Sequence, residues 1–294
     1  MTSKKPGLNK YLLLHFIILL WGFTPVLGKL ISFQALDLVW WRLLLAGVSL
    51  YLYLRWKGVS LKIDTKNLFF LLGWGFIVGI HWFCFYHAIK VSNVSMAMAG
   101  FSTITLFASI LQPILLRRKF FWGDIFYGIV IIAALIVILQ FESLYYKGVI
   151  YGALAALTGA MFGVYNGKLI TKHEAGKITF YEFFGAFITI TIIQAIQGEL
   201  LSIPIPKGID LAALLVLSLA CTTLAFTLSV EILKDIDPLT VIITNNLELV
   251  YGVVFSLWLF GSSELMSNGF YVGASILLLA VFSYPLFKRR FYKD

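Results

Sequence analysis

The chain has 294 residues, of which 60% are hydrophobic and 13% are charged, and its formal net charge is +9. Soluble domains carry roughly 25% charged residues, so this composition excludes an ordinary soluble protein and indicates an integral membrane protein. The two cysteines, Cys84 and Cys221, lie inside apolar runs, and they predict neither a disulfide framework nor a metal site.

Apolar segments separated by short polar turns predict an all-α integral membrane protein with ten transmembrane helices. We place the spans near residues 12–31, 37–55, 68–89, 94–116, 124–141, 148–170, 179–199, 211–233, 238–260 and 269–287. Asp237 directly before Pro238 predicts the start of the ninth helix, with the aspartate as N-cap and the proline as its first residue. These assignments leave almost no room for a soluble domain.

The positions of lysine and arginine predict the orientation of the chain. With the N-terminus inside, most of them fall at cytoplasmic helix ends, as the cluster 117–119 does, whereas Lys29, Lys90, Lys147 and Lys207 fall outside. This asymmetry follows the positive-inside rule and predicts that both termini are cytoplasmic. The basic excess therefore reports topology, and nucleic acid is not a predicted partner.

An internal repeat divides the chain into two five-helix halves. Residues 22–31, GFTPVLGKLI, align with residues 161–170, MFGVYNGKLI, at five identical positions in ten. Because five is odd, the second copy must enter the membrane from the opposite side. We therefore predict inverted repeats at residues 1–146 and 147–294, a layout in which the substrate site of a transporter lies near the midplane between the halves.

Motifs along the whole chain carry a family resemblance. They are LLWGFTPVLGKLI in the first helix, Arg42 in the second, HAIKVSNVSMAMA between the third and fourth, GALAALTGAMFGVYNGKLI in the sixth and NNLELVYGVVFSLWLFGSSEL in the ninth. Together they resemble the drug/metabolite transporter superfamily, EamA type, with ten helices in two repeats. Leu249 and Thr105 stand where the family often has proline, so no proline kink is expected at either depth.

The resemblance implies a secondary transporter of small organic solutes that works by alternating access, with export of amino acids or related metabolites as the first expectation. A nucleotide-sugar or other metabolite transporter of the same fold is the alternative. No G-x-x-x-x-G-K-[ST], H-E-x-x-H or G-x-S-x-G motif occurs, so an intramembrane enzyme is disfavoured and no enzyme activity, cofactor or metal is predicted.

The predicted partners are a small-molecule solute and the lipid bilayer, with protons as a further candidate and a homodimer as one open assembly. A bacterial inner (plasma) membrane is the expected location. The direction of transport, proton coupling and the oligomeric state are left open by the sequence.

The ninth predicted helix carries the main candidates for substrate binding. At about 1.5 Å per residue from Pro238, Glu248 lies about 15 Å along the axis, near the middle of a roughly 30 Å core, where an ionisable group is costly and usually functional. Helical spacing places Thr244 on the face of Glu248 and Asn245 beside it, whereas Asn246 points elsewhere. We expect Glu248 to bind a substrate amine or a proton; the alternative is a hydrogen bond that holds helices together.

Further substrate-binding candidates lie on the third and fourth helices. Ser102 and Thr103 lie at the positions of the fourth helix that correspond to the polar segment of the ninth, and small residues for close helix packing are an equally good explanation. His81 and Tyr86 lie among aromatic residues of the third helix, where a histidine can contact substrate or protons or can be a hydrogen-bonded packing residue.

Three charged residues are predicted as gates. Arg42 lies about a turn and a half into the second helix from outside, and Glu182 occupies the matching place from inside; the alternative is that both anchor the helices at the interface. Lys29 ends the first helix outside, where a cation also suits the helix dipole.

Overall fold

The computed structural model describes residues 7–117, 119–120 and 122–291, and within these ranges the regular elements are all helices. The two termini, whose cytoplasmic position the sequence predicts, lie outside the described residues. The α-helices are α1 (Leu8–Leu30), α2 (Ala35–Trp56), α3 (Thr65–Val91), α4 (Val94–Phe101), α5 (Ile104–Leu116), α6 (Gly123–Phe141), α7 (Tyr146–Leu169), α8 (Ala175–Ile196), α9 (Gly208–Ser218), α10 (Ala225–Ile232), α11 (Pro238–Asn245), α12 (Leu247–Phe260) and α13 (Asn268–Phe291).

Eight segments of the described chain are long and apolar enough to cross a membrane, which makes the chain an integral membrane protein. Three of them are interrupted, so that α4–α5, α9–α10 and α11–α12 each form one such segment. Two further apolar helices, Phe126–Phe141 and Asn268–Tyr284, are shorter. All of these segments lie where the sequence places spans, and the helices extend a few residues further because polar residues such as those at 9–10 and 65–67 lie in the first turns.

Polar residues end the connections and begin the helices. The Asp64 carboxylate accepts a hydrogen bond from the backbone N of Asn67 (3.0 Å), and this contact starts α3. At α11 the Asp237 carboxylate accepts from the backbone N of Leu239 (3.1 Å) and Pro238 is the first helical residue, which confirms the predicted helix start.

Helices of the two halves pack against each other throughout the molecule. Helix α3 lies between α7 and α8, α4 and α5 lie against α7, and α1 lies against α12. A Cβ atom on Gly75 would come within 2.5 Å of the backbone O of Glu182, and one on Gly185 within 2.5 Å of the backbone O of Leu72. Small residues thus let the backbones of α3 and α8 approach closely, as is common where helices associate in lipid.

The corresponding segments of the two halves, α4–α5 and α11–α12, run antiparallel to each other. Their contacts, from one end to the other, are Ser95 N to Glu264 Oε2 (3.1 Å), Asn246 Nδ2 to Thr105 Oγ1 (2.7 Å) and Gln112 Nε2 to Asp237 Oδ2 (2.8 Å). Residue numbers rise along one segment while they fall along the other.

Candidate functional site

A cavity of about 90 Å³ lies in the middle of the molecule, with walls from both halves. One buried water requires about 10–15 Å³, so the cavity has room for several waters or a small organic molecule. Its aromatic residues are Trp21, Trp82, Phe85, Phe101, Phe162 and Phe226. Its polar residues include Thr24, Arg42, His81, Asn166, Asn245 and Glu248.

Arg42 is the cationic group of this cavity, and its side chain is held from two sides. It is 2% exposed; its Nε donates to Thr222 Oγ1 and its Nη1 donates to the Tyr86 hydroxyl, each at 2.7 Å. The guanidinium also lies 4.1 Å from the centroid of the Trp82 ring. No hydrogen bond from its Nη2 to a described residue is found. The guanidinium is therefore fixed in orientation and keeps donors for a ligand.

Thr222, which sequence reasoning missed, lies in a π-helical turn formed by residues 219–224 between α9 and α10. The Oγ1 atom of Thr222 donates to Leu217 O at 2.6 Å, and that of Thr223 donates to Ser218 O at 3.0 Å, both five residues back. π-Turns of this kind occur often at functional sites. Here the turn presents Thr222 to Arg42.

Glu248 and Asn245 form an acceptor group in the same cavity. The Glu248 side chain is 6% exposed, and its carboxylate has neither a hydrogen bond nor a direct ion pair with any described residue. The Asn245 Oδ1 atom is buried and has no partner among the described residues. The charges of Arg42 and Glu248 act on each other through space, although no bond joins them. The cavity thus holds separated donor and acceptor groups.

His81 adds a further acceptor to the wall. Its Nδ1 atom lies 2.7 Å from Ala155 O, and because a carbonyl oxygen only accepts, Nδ1 carries the proton of this bond. In the neutral ring, Nε2 is then an acceptor. The rings of Phe101 and Phe162 lie 5.8 and 5.1 Å from the imidazole centroid and fix its orientation.

Asn246, which separates α11 from α12, has a different position from Asn245. Its Nδ2 atom donates to Thr105 Oγ1 at 2.7 Å and also lies 3.2 Å from the carbonyl oxygens of Ile242 and Ile243 in the last turn of α11. The sequence predicts one span over residues 238–260, and Pro238–Glu264 is one such segment, in which Asn246 keeps helical backbone angles (φ −65°, ψ −12°) at a tighter turn. Asn246 is not in the cavity wall.

The opposite segment has a similar turn at Ser102 and Thr103, which keep helical backbone angles within the one span, Val94–Leu116, that the sequence predicts. Their hydroxyls donate to Ala99 O (2.5 Å) and Gly100 O (2.7 Å) of their own helix, and neither residue lines the cavity. Both turns lie at the same depth, since Thr105 and Asn246 touch.

Of the remaining predicted binding residues, Thr244 donates to Thr240 O (2.7 Å) of its own helix and lies outside the cavity wall. Tyr86 is fully buried behind Arg42, to which its hydroxyl is bonded. The structure thus brings Glu248, Asn245, His81 and Arg42 together. The other predicted binding residues either hold these groups in place or lie apart from them.

The predicted gate residue Lys29 lies at the end of the molecule where α1 and α12 finish. Its Nζ atom lies 2.7 Å from the carboxylate of Glu264, a residue that is 0% exposed. This carboxylate also accepts hydrogen bonds from the backbone N atoms of Val94 and Ser95, each at 3.1 Å, at the start of α4. Glu264 therefore joins α1, α4 and α12, although only its motif, GSSEL, is visible in the sequence.

The cavity lies towards one end of the molecule. It extends from Arg42 and Glu248 at mid-depth to Leu233 and Pro238 at the connection between α10 and α11. The contact between Lys29 and Glu264 lies at the opposite end. The molecule is therefore closed at one end and hollow towards the other.

Glu182, the third predicted gate residue, is 0% exposed on α8. Its Oε2 atom accepts a hydrogen bond of 3.3 Å from Asn166 Nδ2, and Asn166 lines the cavity. Glu182 thus lies directly behind the cavity wall.

The fold and the cavity define a polytopic α-helical membrane protein with an enclosed, charged site between its two halves. A model of the EamA-like transporter family matches residues 8–140 and residues 146–284. The chain belongs to the EamA-like transporter family, which confirms the resemblance seen in the sequence. Proteins of this family are membrane transporters of small solutes rather than known enzymes.

Solved structures share the fold. One crystal structure superposes on 97% of this chain and 99% of its own with a TM-score of 0.67, at 15% sequence identity. At this identity the similarity shows the fold alone. No curated protein sequence matches the chain.

Proposed function

We propose that this protein exports zwitterionic amino acids or closely related metabolites across a bacterial inner (plasma) membrane by alternating access. The observation that carries the proposal is the pairing of Arg42 with an acceptor group, Glu248 and Asn245, in one buried cavity without an ion pair between them. A charge buried in a membrane protein is costly unless it is paired, so a partner with both charges is expected.

A zwitterion supplies what each group lacks. Its carboxylate accepts from the remaining donors of Arg42, and its ammonium donates to Glu248, Asn245 Oδ1 and the Nε2 atom of His81. The aromatic walls contact the rest of the solute. Charge-assisted hydrogen bonds contribute about 1.5–3 kcal/mol each, which is enough for selection between a zwitterion and its neutral analogues.

Alternating access follows from ten spans in two inverted units, residues 1–146 and 147–294. We propose that the two shorter apolar helices also cross the membrane, and that Lys29 with Glu264 closes the outer end. The cavity then reaches towards the cytoplasm, from which an exporter takes its solute. Protons are a further proposed partner, while a homodimer and gate roles for Arg42 and Glu182 stay predictions.

A transporter of nucleotide sugars is the second candidate of the same fold. A nucleotide sugar carries at least two phosphate charges, whereas the cavity wall pairs one arginine with one carboxylate. The volume of about 90 Å³ also favours a smaller solute. The amino acid therefore remains the better supported class.

Counterflow in vesicles tests the proposal. Purified protein in liposomes is loaded with one amino acid and offered labelled amino acids, their amides, their N-acetyl derivatives and nucleotide sugars. We expect exchange with the amino acids, and weak exchange with amides, which lack the carboxylate, and with N-acetyl derivatives, which lack the ammonium. Glu231→Gln is the matched control, since Glu231 is a carboxylate outside the cavity that pairs with Lys234. Exchange of nucleotide sugars, or equal exchange of zwitterions and N-acetyl derivatives, would contradict the proposal.

A further inference from the structure

Glu182 is a second buried carboxyl group beside the cavity, and its surroundings differ from those of Glu248. Its one hydrogen bond from a described residue comes from Asn166 Nδ2, and its Oε1 atom has no described partner. The Oδ1 atom of Asn166 and the Oγ1 atom of Thr179, one turn before Glu182 on α8, also have no described partner. Three buried oxygens on α7 and α8 thus have no described hydrogen-bond partner.

No described cationic side chain contacts Glu182. Helices α2, α3 and α10 pack against α8, and α7 adds Asn166. Six charged or imidazole groups on these helices have other partners: Arg42 is bonded to Thr222 and Tyr86, His81 to Ala155, Asp37 to Gln194 and Lys90 to Ile31, while Lys168 lies over the ring of Tyr165 and Glu231 pairs with Lys234. The others, Arg55, Lys66, His87 and Lys147, form no hydrogen bond or ion pair with Glu182.

An ionised carboxylate without a cation is unfavourable in a buried site, whereas a carboxylic acid is neutral and supplies one O–H donor. That donor is what the amide oxygen of Asn166 lacks, because the acid can accept from Asn166 Nδ2 and donate from its other oxygen. The arrangement therefore favours a proton.

Asn166 connects this site to the cavity. Its amide is 2% exposed and forms part of the cavity wall, whereas Glu182 is fully buried behind it. Displacement of one amide side chain would open Glu182 to cavity water, and the site lies towards the cavity end near Pro238. Glu248, by contrast, lies in the cavity wall itself, which it shares with Arg42.

We propose that Glu182 is the proton-binding site of transport, loaded and unloaded from the central cavity past Asn166, while Glu248 binds the solute. In the loading step a proton from cavity water forms the O–H bond of the Glu182 carboxyl group, and in the release step that bond breaks and the proton returns to water. This inference rests on the proposed transport function for its role, but proton binding at Glu182 is a property that can be measured without transport.

Two measurements test it. Infrared difference spectra of the purified protein between high and low pH should contain a carboxylic acid band that Glu182→Gln removes and Glu231→Gln keeps. In liposomes, Glu182→Gln should retain solute exchange at equal pH on both sides and should lose accumulation driven by a pH gradient. Asn166→Leu, which blocks the path and keeps the acid, should slow the gradient-driven step and keep the band.

The outcomes separate the two proposals. An acid band that persists in Glu182→Gln, or unchanged gradient-driven accumulation in that variant, overturns the proton site while solute exchange leaves the transport proposal standing. Absence of exchange together with a band that depends on Glu182 contradicts the transport proposal and supports proton binding. A further outcome is that sodium raises the midpoint of thermal unfolding and that Glu182→Gln abolishes this effect. It would identify a sodium site and overturn the proposal of a proton site. If Glu182→Gln does not fold, Glu182→Asp is the replacement variant. It keeps a carboxyl group, so it should shift the frequency of the carboxylic acid band, and an unshifted band would overturn the assignment to Glu182.

Discussion

Arg42 on α2 and Glu248 on α12 carry opposite charges in the wall of one buried cavity, and no direct ion pair joins them. Tyr86 and Thr222 hold the guanidinium away from the carboxylate, so the separation is built into the fold. Two charges that neutralised each other would leave little for a solute to bind. Because they are kept apart, a zwitterion can stabilise both at once.

Glu248→Gln should weaken solute binding by about 10- to 100-fold, since it replaces a charge-assisted hydrogen bond with a neutral one. The shape of the side chain stays nearly the same, so the protein should remain folded. Dissociation constants from thermal-shift titration with amino acids measure the effect. Glu231→Gln is the control and should leave affinity unchanged, because Glu231 is outside the cavity. Equal affinities in Glu248→Gln and the unsubstituted protein would remove Glu248 from the binding site.

Arg42→Lys should raise the KM for amino acids by about 10- to 100-fold despite keeping the positive charge. A lysine cannot donate to Thr222, Tyr86 and a solute carboxylate in the fork geometry of a guanidinium. Initial rates of uptake into vesicles over a range of concentrations check this expectation. Arg55→Lys, an exposed position on the same helix, is the matched control. A KM that is unchanged in Arg42→Lys would show that only the charge matters.

Glu264→Gln should destabilise the protein more than Lys29→Gln, by about 1–2 kcal/mol. The glutamate is fully buried and accepts from Lys29 and from two backbone N atoms of α4, whereas Lys29 loses only its own contacts. Unfolding of the single and double variants in detergent measures both effects. Because the two residues touch, the double variant should lose less stability than the sum of the single variants. Additive losses would show that the pair does not act as one contact.

Local sequence patterns predicted much of this molecule. Hydropathy predicted where the helices lie, and Asp237 with Pro238 predicted the start of α11. Helical spacing also placed Asn245 beside Glu248 and turned Asn246 away, because both positions depend only on the geometry of one helix. Asn245 lines the cavity and Asn246 contacts the opposite helix, as that spacing predicts.

Contacts between distant parts of the chain could not be predicted in this way. The partner of Arg42 in the π-turn, Thr222, is 180 residues away, and Glu264 reaches Lys29 over 235 residues. The tighter turns at residues 102–103 and 246 were not predicted, since no proline marks them. Asn246 shows why: its amide both bonds carbonyl oxygens of its own helix and contacts Thr105 of the other half.

Thr105→Val should destabilise the protein by about 1 kcal/mol, because it removes one buried hydrogen bond and keeps the side-chain shape. The bond joins the two interrupted helices at mid-depth, so the loss should appear as a lower midpoint of unfolding. Thr158→Val is the control, since Thr158 bonds only carbonyl oxygens of its own helix. If Thr105→Val and Thr158→Val lower the stability equally, the contact between Thr105 and Asn246 stabilises the protein no more than a hydrogen bond within one helix does.

The orientation and the number of spans can be tested by labelling single cysteines in whole cells. The native Cys84 and Cys221 are buried, so an impermeant maleimide should react weakly with the unsubstituted protein. With both termini inside, Ser202→Cys between α8 and α9 should react in intact cells, and Thr171→Cys between α7 and α8 should react only after permeabilisation. Both positions are exposed, so a difference between them reports the side of the membrane. The reverse pattern would mean that the cavity faces outwards and would contradict export from this conformation.

The shorter helix α6 needs a second pair of cysteines, because its apolar part is less than a usual span. Trp122 and Leu144 flank α6 and are 77% and 89% exposed. If α6 crosses the membrane, Leu144→Cys should be labelled in intact cells and Trp122→Cys only after permeabilisation. Labelling of both from one side would place α6 on the surface and reduce the number of spans. An even number of spans in the first half would then remove the reason for inversion, and the antiparallel contacts of α4–α5 with α11–α12 would need another origin.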